Sequence, residues 1–310
     1  MEVLTQVDRG RIRALLGRDT FFWLDLAAPS DADVTAAGEL LGLHELALED
    51  TREMGQRPKL DRYDGALLLV FYSARVVDDT AEPVEVHLHI AGGYLLTVRR
   101  EAGGPLDRLH AIADLGPAGE QNVVYRVLDA LTDALYPVID CFEARIDALE
   151  EMVLSDAQRG QLEAIYRLKQ DVQSVLRRMI SQRDQFATTS EAIIDLPGLS
   201  GSREHWRDIG DHLSQVTGEL YRQTDDLGAL TSTYFNANAN RLNRLATRLT
   251  VLASFFLVWS FVSSFFGQNF GWLTDHIESL ASFVIWMTVG LVIPSVLLAI
   301  YFWRRRREWL

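Results

Sequence analysis

The spacing of apolar and polar positions changes character along the chain. Near the N-terminus, Phe21-Phe22-Trp23-Leu24-Asp25-Leu26 predicts a short strand that ends at Pro29. Ser30 then stands where a helix over 31–41 needs its cap. A second short helical pattern covers 44–51 and breaks at Gly55-Gln56-Arg57-Pro58. Residues 67–77, 84–91 and 94–99 are rich in β-branched and aromatic side chains, and Asp78-Asp79 and Gly92-Gly93 separate them, which predicts a meander of strands. From Gln121 the period becomes helical, running to Val153, again over about 156–187, and from about Arg203 after Pro197-Gly198-Leu199-Ser200-Gly201. Gly210, Gly218 and Gly228 each cost about 1 kcal/mol in a helix without compelling an end. A single helix of more than sixty residues therefore reaches Gly267, a length of about 95 Å at 1.5 Å per residue. Strands followed by helices make this an α+β chain.

Two segments exceed what a soluble core uses. Residues 249–266 and 280–303 carry no charge over 18 and 24 positions. Each is long enough to cross the roughly 30 Å of a bilayer's hydrocarbon. Arg241, Arg244 and Arg248 precede the first span and Arg304 to Arg307 follow the second, while the loop 267–279 carries Asp275 and Glu278 and no base. Positive charge stays inside, so both termini are expected in the cytosol of a multi-pass membrane protein and the loop outside. Trp272, Trp303 and Trp309 lie near the span ends as interfacial anchors, and Pro294 is expected to kink the second span.

The first span has one polar face. Alternating steps of three and four give Asn236, Asn240, Asn243, Ala246 or Thr247, Thr250, Ala253, Leu257, Ser260 and Ser264. Amide, hydroxyl and small side chains on one stripe can line a wet path for a hydrated cation, with Leu257 as a narrow apolar ring. The same composition also lets helices pack closely. A two-span hairpin cannot enclose a channel, so a pore requires a ring of identical chains.

Composition sharpens this picture. The chain has 310 residues with 43 acids and 30 bases, and residues 236–310 carry +4 against −17 for residues 1–235. An acidic body repels phosphate backbones, which argues against nucleic acid as a partner. The single Cys141 allows no intrachain disulfide and no thiolate metal cluster, and the first residues lack a signal peptide's apolar core, so the body is expected in the reducing cytosol. Catalytic signals are weak, with no Walker A or nucleophile-elbow pattern. His87 and His89 alternate on one strand face and could bind metal, but they read as the polar side of an amphipathic strand. No enzyme and no tightly bound cofactor are expected.

At Gly267-Gln268-Asn269 the sequence resembles the CorA family of divalent metal ion transporters, whose signature there is Gly-Met-Asn. Trp23-Leu24-Asp25-Leu26 with Pro29, Leu48-Glu49-Asp50, Arg57-Pro58-Lys59-Leu60-Asp61 with Tyr63, Tyr94 to Val98, Asn243 to Thr250 and Tyr301 to Arg304 extend the likeness over nearly the whole chain. The resemblance implies a homopentamer in a bacterial inner or plasma membrane, with a cytosolic αβα domain on long helices and five first spans around the pore. It divides the chain into an α/β domain (1–120), a helical bundle and long helix (121–248) and a transmembrane hairpin (249–310).

The same resemblance places Asn269 at the outer mouth, with Gly267 allowing the turn, and Asn243 at the cytosolic end of the pore. It puts Ala246, Leu249, Thr250 and Leu257 at or near the gate and lining. Asp208 falls near the family's acidic metal sensor, where cytosolic metal holds the pore shut. Divalent metal is thus both substrate and regulator. Three positions depart from the family: Gln268 for Met, Val258 for Pro, and the small Ala246. They leave open Mg²⁺, Co²⁺, Ni²⁺ or Zn²⁺ as the ion, proton-coupled zinc transport as in the ZntB branch, and a non-conducting membrane-anchored sensor or scaffold.

Overall fold

A computed structural model describes residues 1–18, 20–111, 121–155, 158–194, 203–268, 270–277 and 279–304. The breaker Pro197-Gly198-Leu199-Ser200-Gly201, Asn269, Glu278, Arg305 to Arg307 and Trp309 lie outside the described residues. Two compact units are distinguished: residues 1–152 with 158–231, and residues 153–157 with 232–310.

The first unit is built on a six-stranded sheet in the order β1-β2-β6-β5-β4-β3. Its strands are β1 (Glu2–Leu4), β2 (Phe22–Ala27), β3 (Lys59–Tyr63), β4 (Ala66–Val77), β5 (Thr80–Ala91) and β6 (Tyr94–Arg99). β1, β2 and β6 run parallel, and β6, β5, β4 and β3 pair antiparallel. The β4–β5 hairpin turns on Asp78 and Asp79, at φ of 48° and 59°. Two central residues at positive φ match the strand twist, and short aspartates tolerate that conformation.

Alternation along the strands sends side chains to two cores. Trp23, Leu69, Phe71, Leu88 and Leu95 face one side, where α4 (Pro105–Ala111), α5 (Gln121–Asp133), α7 (Arg159–Ile194) and α8 (Arg203–Phe266) contribute Leu106, Val127, Phe186 and Trp206. Phe22, Leu24, Leu96 and Val98 face the other, with Ile12 of α1 (Arg9–Leu16) and Val34 of α2 (Asp31–Leu41). This is the αβα layering. Ser30 caps α2 as expected, in a reciprocal box with Asp33. On α8, Trp206, Ile209, Leu213, Val216, Leu220, Leu227 and Leu230 are buried at alternating spacings of three and four, with Gln223 completing the series. The Gln223 Nε2 donates to the Ile139 carbonyl of α6 (Tyr136–Ser155) at 2.9 Å, while its Oε1 has no hydrogen-bond partner among the described residues.

Several elements escaped the sequence reading. β1, α1, β3 and α4 are short and lack a full period of pattern, and the expected helix over 121–153 divides into α5 and α6 at Ala134-Leu135. His87 and His89 are corrected: they do not face water. α3 (Glu45–Glu53) covers that side of β5, and both are buried. Thr51 Oγ1 lies 2.8 Å from His89 Nε2 and 3.4 Å from His87 Nδ1, while His87 Nε2 meets Glu85 Oε1 at 2.8 Å. Although burial works against its charge, Glu85 is held low by His87 and by the N–H groups of Gln56 and Gly55.

In the second unit, α8 continues to Phe266, followed by α9 (Gly271–His276), α10 (Leu280–Met287), a π-helical segment Thr288–Val292 and α11 (Ile293–Arg304). Pro294 has no N–H to return, and its effect is a widened turn: Ile293 N–H donates to Thr288 O, five residues back. The apolar window of α8 and the 25 residues Leu280–Arg304 are long enough to cross a membrane and are scarcely covered by the chain itself.

Burial pushes the His89 imidazole from 6.5 down to about 3. The unfolded chain then binds a proton that the fold refuses, so this stability is complete above about pH 6.5 and is lost as pH falls. Between pH 6.5 and 5 the loss is about 2 kcal/mol. Melting curves at pH 7 and pH 5 should show His89→Gln lacking that increment; an unchanged pH slope in the variant would contradict the assignment.

Candidate functional site

The second unit contains the polar stripe. Starting at Tyr234, steps of three and four define one face of α8 through Ala237, Arg241, Arg244, Arg248, Val251, Phe255, Val258 and Val262. In the apolar segment this face and its margin meet the second span. Trp259 Nε1 donates to Ser295 Oγ at 3.0 Å, and a Cβ on Gly290 would touch Val262 at 3.5 Å and Phe266 at 3.6 Å. Both are ordinary van der Waals separations, so the two helices are in contact at Gly290.

Asn243 follows Tyr234 by nine residues, which at 100° per residue is about half a turn around the helix. The stripe Asn236, Asn240, Asn243, Ala246, Thr250, Leu257, Ser260 and Ser264 therefore lies away from the second span, and every one of these residues is exposed within the chain, as is Leu249. Thr250 donates its hydroxyl proton to Ala246 O at 2.9 Å, and Ser254 donates to Thr250 O at 2.8 Å. A hydroxyl whose proton is committed to the backbone offers its remaining lone pairs outward, which suits a cation.

Past the span, Gly267 N–H donates to Ser263 O at 3.0 Å, and a Cβ at Gly267 would come within 3.2 Å of that oxygen. The small residue fits the tight exit from the helix. Gln268 and Asp275 are exposed, and the expectations for Asn269 and Glu278 lie outside the described residues.

The first unit gathers a second group around Asp208. Asp208 and His212 stand one turn apart on α8, and Asp129 of α5 joins them, with one ligand atom from each within 4.8 Å of the others. The imidazole lies between the carboxylates, His212 Nδ1 at 3.9 Å from Asp129 Oδ1 and Nε2 at 3.8 Å from Asp208 Oδ1. Both separations exceed a hydrogen bond, and among the described residues His212 Nδ1 has no hydrogen-bond partner. Tyr125 donates to Asp208 Oδ2 at 2.8 Å and orients it. Burial, then Asp133 and Asp208, raise the Asp129 carboxyl against an opposing pull from His212. Burial, then the bond to Asp208, raise the Tyr125 phenol. Two acids and an imidazole can hold a divalent cation. Only Asp208 was singled out by sequence. His212 had a local signal, the helical spacing of four, whereas Asp129 is 79 positions from Asp208 and only packing brings it near.

A similar group, Asp25, Asp107 and His110, has a different chemistry. Arg99 already supplies the cation: its Nη2 donates to Asp25 Oδ2 at 2.7 Å and also to Asp107. Trp23 Nε1 donates to Thr97 Oγ1 at 2.9 Å, and Thr97 in turn donates to Asp25. The Trp-Leu-Asp-Leu motif thus joins β2 to β6. Likewise Lys59 Nζ binds Asp50 at 2.7 Å and Asp61 at 2.9 Å, linking two of the sequence motifs structurally.

The sequence profile of the family described as CorA-like Mg2+ transporter protein matches residues 18–307. The chain is 26% identical over 262 residues to the putative metal ion transporter YfjQ of Bacillus subtilis, covering 82% of this chain and 80% of that protein. It is 23% identical over 300 residues to the cobalt/magnesium transport protein CorA of Thermotoga maritima, covering 93% and 83%. The structure of the CorA magnesium transporter from Methanocaldococcus jannaschii matches with a TM-score of 0.79 at 18% identity, over 93% of this chain and 91% of that one. That likeness establishes the fold: the mixed-sheet domain, the long helix and the paired C-terminal helices.

Replacing Ser295 by Ala strands the Trp259 N–H in an apolar setting. Thermal unfolding of the detergent-solubilised protein should register a loss of about 1 kcal/mol, and an unchanged stability would mean that the bond is absent.

Proposed function

This chain belongs to the CorA-like Mg2+ transporter family, and from that membership we propose that it assembles as a homopentamer in a bacterial plasma membrane and conducts divalent cations along a pore lined by α8. Both termini lie in the cytosol in this reading. The observation that carries it is the exposed polar stripe, turned away from the second span on the same helix. Five such stripes facing a common axis surround a hydrated ion with neutral oxygens. Neutral dipoles attract the ion without trapping it.

Each group then has a part in the passage. Asp275 and Glu278 raise the local cation concentration outside. Asn269 meets the hydrated ion through its amide oxygen, and Gln268 adds an acceptor together with an NH₂ donor that orders water. Leu249 and Leu257 supply apolar constrictions, which close by dewetting. Asn243 receives the ion at the cytosolic end.

Regulation is assigned to Asp208 with Asp129 and His212. Metal held there relieves the repulsion between the carboxylates and stabilises the non-conducting arrangement. The imidazole favours Co²⁺, Ni²⁺ or Zn²⁺ over Mg²⁺ as occupant, because nitrogen is a poor ligand for a hard cation.

Flux into proteoliposomes, measured for Mg²⁺, Co²⁺, Ni²⁺ and Zn²⁺, tests the pore. Asn269→Ala should lower flux several-fold, and Gln268→Met should change the order among ions. Wild type no faster than empty vesicles, for every ion and at several voltages, would leave the non-conducting scaffold in its place. For regulation, Asp208→Asn with His212→Ala should raise the metal concentration that half-inhibits flux at least about tenfold. Because Asp129 holds its proton to higher pH than usual, inhibition should weaken as the cytosolic side is acidified. A double variant inhibited like wild type would remove this site from the gate.

A further inference from the structure

The β4–β5 hairpin of the first unit outruns both of its neighbours in the sheet. β3 pairs β4 only as far as Val70, and β6 pairs β5 only as far as Val86. Beyond them the cross-strand pairs Tyr72–Glu85 and Ala74–Pro83 share one face of the two remaining strands. Gln182 of α7 closes the open edge of β4, accepting the Tyr72 N–H at 2.6 Å and donating to the Tyr72 carbonyl at 2.9 Å. One turn earlier on α7, Arg178 stands with its Cζ 5.7 Å from the centre of the Tyr72 ring. A cavity of about 470 Å³ opens here, and Tyr72, Ala74, Pro83, Glu85, Arg100 and Arg178 all line it. That volume falls within the range of small-molecule sites.

The charges around the cavity are not equivalent. Arg75, also on its wall, is held by Glu82 at 2.8 Å and by Glu101. Glu85 is engaged as well: it accepts the N–H groups of Gly55 at 2.6 Å and Gln56 at 2.9 Å and meets His87 Nε2 at 2.8 Å. Met54 and Gly55 turn the chain there at φ of 51° and 76°, so that two consecutive N–H groups reach one carboxylate. Arg100 and Arg178 have no such partner. Arg100 Nη2 donates to the Glu53 carbonyl at 3.2 Å, Arg178 Nη1 donates to the carbonyl and hydroxyl oxygens of Ser174 at 3.0 and 2.8 Å, and among the described residues neither forms an ion pair. Both reach the same phenol. Burial and Glu85 push the Tyr72 hydroxyl up to about 12, and Arg178 and Arg100 each pull against them.

The frame around these two arginines is fixed in advance. Arg178 belongs to a helix of 36 residues, and Arg100 opens a loop that Arg99 fastens, its Nη1 donating to Glu101 O at 3.0 Å and Gly103 O at 2.7 Å. Two guanidinium groups that face one cavity without a carboxylate match a phosphate, whose oxygens take paired N–H donors. A bare phosphate leaves much of the volume unfilled, and Ala74 with Pro83 offers the remainder a small apolar floor. Glu82 and Glu101 keep lone pairs for hydroxyl donors. We propose that this cavity binds a small phosphomonoester, its phosphate held by Arg100 and Arg178 and its organic part lying on Ala74 and Pro83 with a hydroxyl donating to Glu82 or Glu101.

Isothermal titration calorimetry of the full-length protein in detergent, without divalent metal, tests this with AMP, glycerol 3-phosphate, glucose 6-phosphate and inorganic phosphate as probes. One or more of the esters should bind once per chain and at least about tenfold tighter than inorganic phosphate, because the organic part is buried too. Arg100→Gln and Arg178→Gln should each weaken that ester by about tenfold. Arg178→Lys, which keeps the charge but not the paired donors, should fall between, and Arg167→Gln on the same helix should match wild type. Arg100 is exposed, so its variant decides the matter even if Arg178→Gln disturbs α7. Failure of every ester to bind would overturn the proposal. So would binding undiminished in Arg100→Gln, or inorganic phosphate bound as tightly as the esters. The readout is bound ligand, so it stands or falls independently of ion flux.

Discussion

In hydrocarbon a helix must satisfy its own backbone hydrogen bonds, and α8 meets that demand by remaining one helix from Arg203 to Phe266. With the backbone thus committed, only the choice of side chain on each face is left to vary. The faces of α8 are accordingly specialised. In the first unit its 3-4 series from Trp206 to Leu230 is buried in the domain core. In the second unit the corresponding spacing reaches the span through arginines and then contacts α10–α11, and the side half a turn away carries amides and hydroxyls. A single helical period sorts the domain core, the contact with the second span and the exposed polar stripe.

The charged clusters of the first unit divide by whether a protein cation is already in place. Asp25 and Asp107 share Arg99, and Asp50 and Asp61 share Lys59. These pairs satisfy the buried Asp25, the half-buried Asp50 and Asp61 and the exposed Asp107, and tie strands and helices together. Among the described residues, Asp129 and Asp208 have the His212 imidazole between them, at 3.9 and 3.8 Å. Among the described residues no guanidinium or ammonium group stands between these carboxylates, which distinguishes this cluster from its neighbours of similar composition.

Buried polarity explains the main departure from the sequence reading. Alternation in Val86-His87-Leu88-His89-Ile90 identified the two faces of β5, but alternation alone does not say what lies over the polar one. α3 supplies Thr51 there, and one hydroxyl between two imidazoles gives both buried rings a polar neighbour. The short elements β1, α1, β3 and α4 were illegible for a related reason: each is held by pairing or packing with partners distant in sequence, and none contains enough residues to establish a period by itself.

What the sequence determined by itself was everything that depends on local periodicity and charge: the two uncharged spans, their basic flanks, the polar stripe at helical spacing, the cap at Ser30 and the strands of the meander. These follow from rise per residue, side-chain direction and the cost of placing charge in hydrocarbon. Only the tertiary structure decided that Asp129 joins Asp208 and His212, that Arg99 neutralises Asp25, and that the polar stripe turns away from α11. Each of those facts is a juxtaposition of residues tens of positions apart, fixed by how sheet and helices pack, and no local pattern encodes that distance.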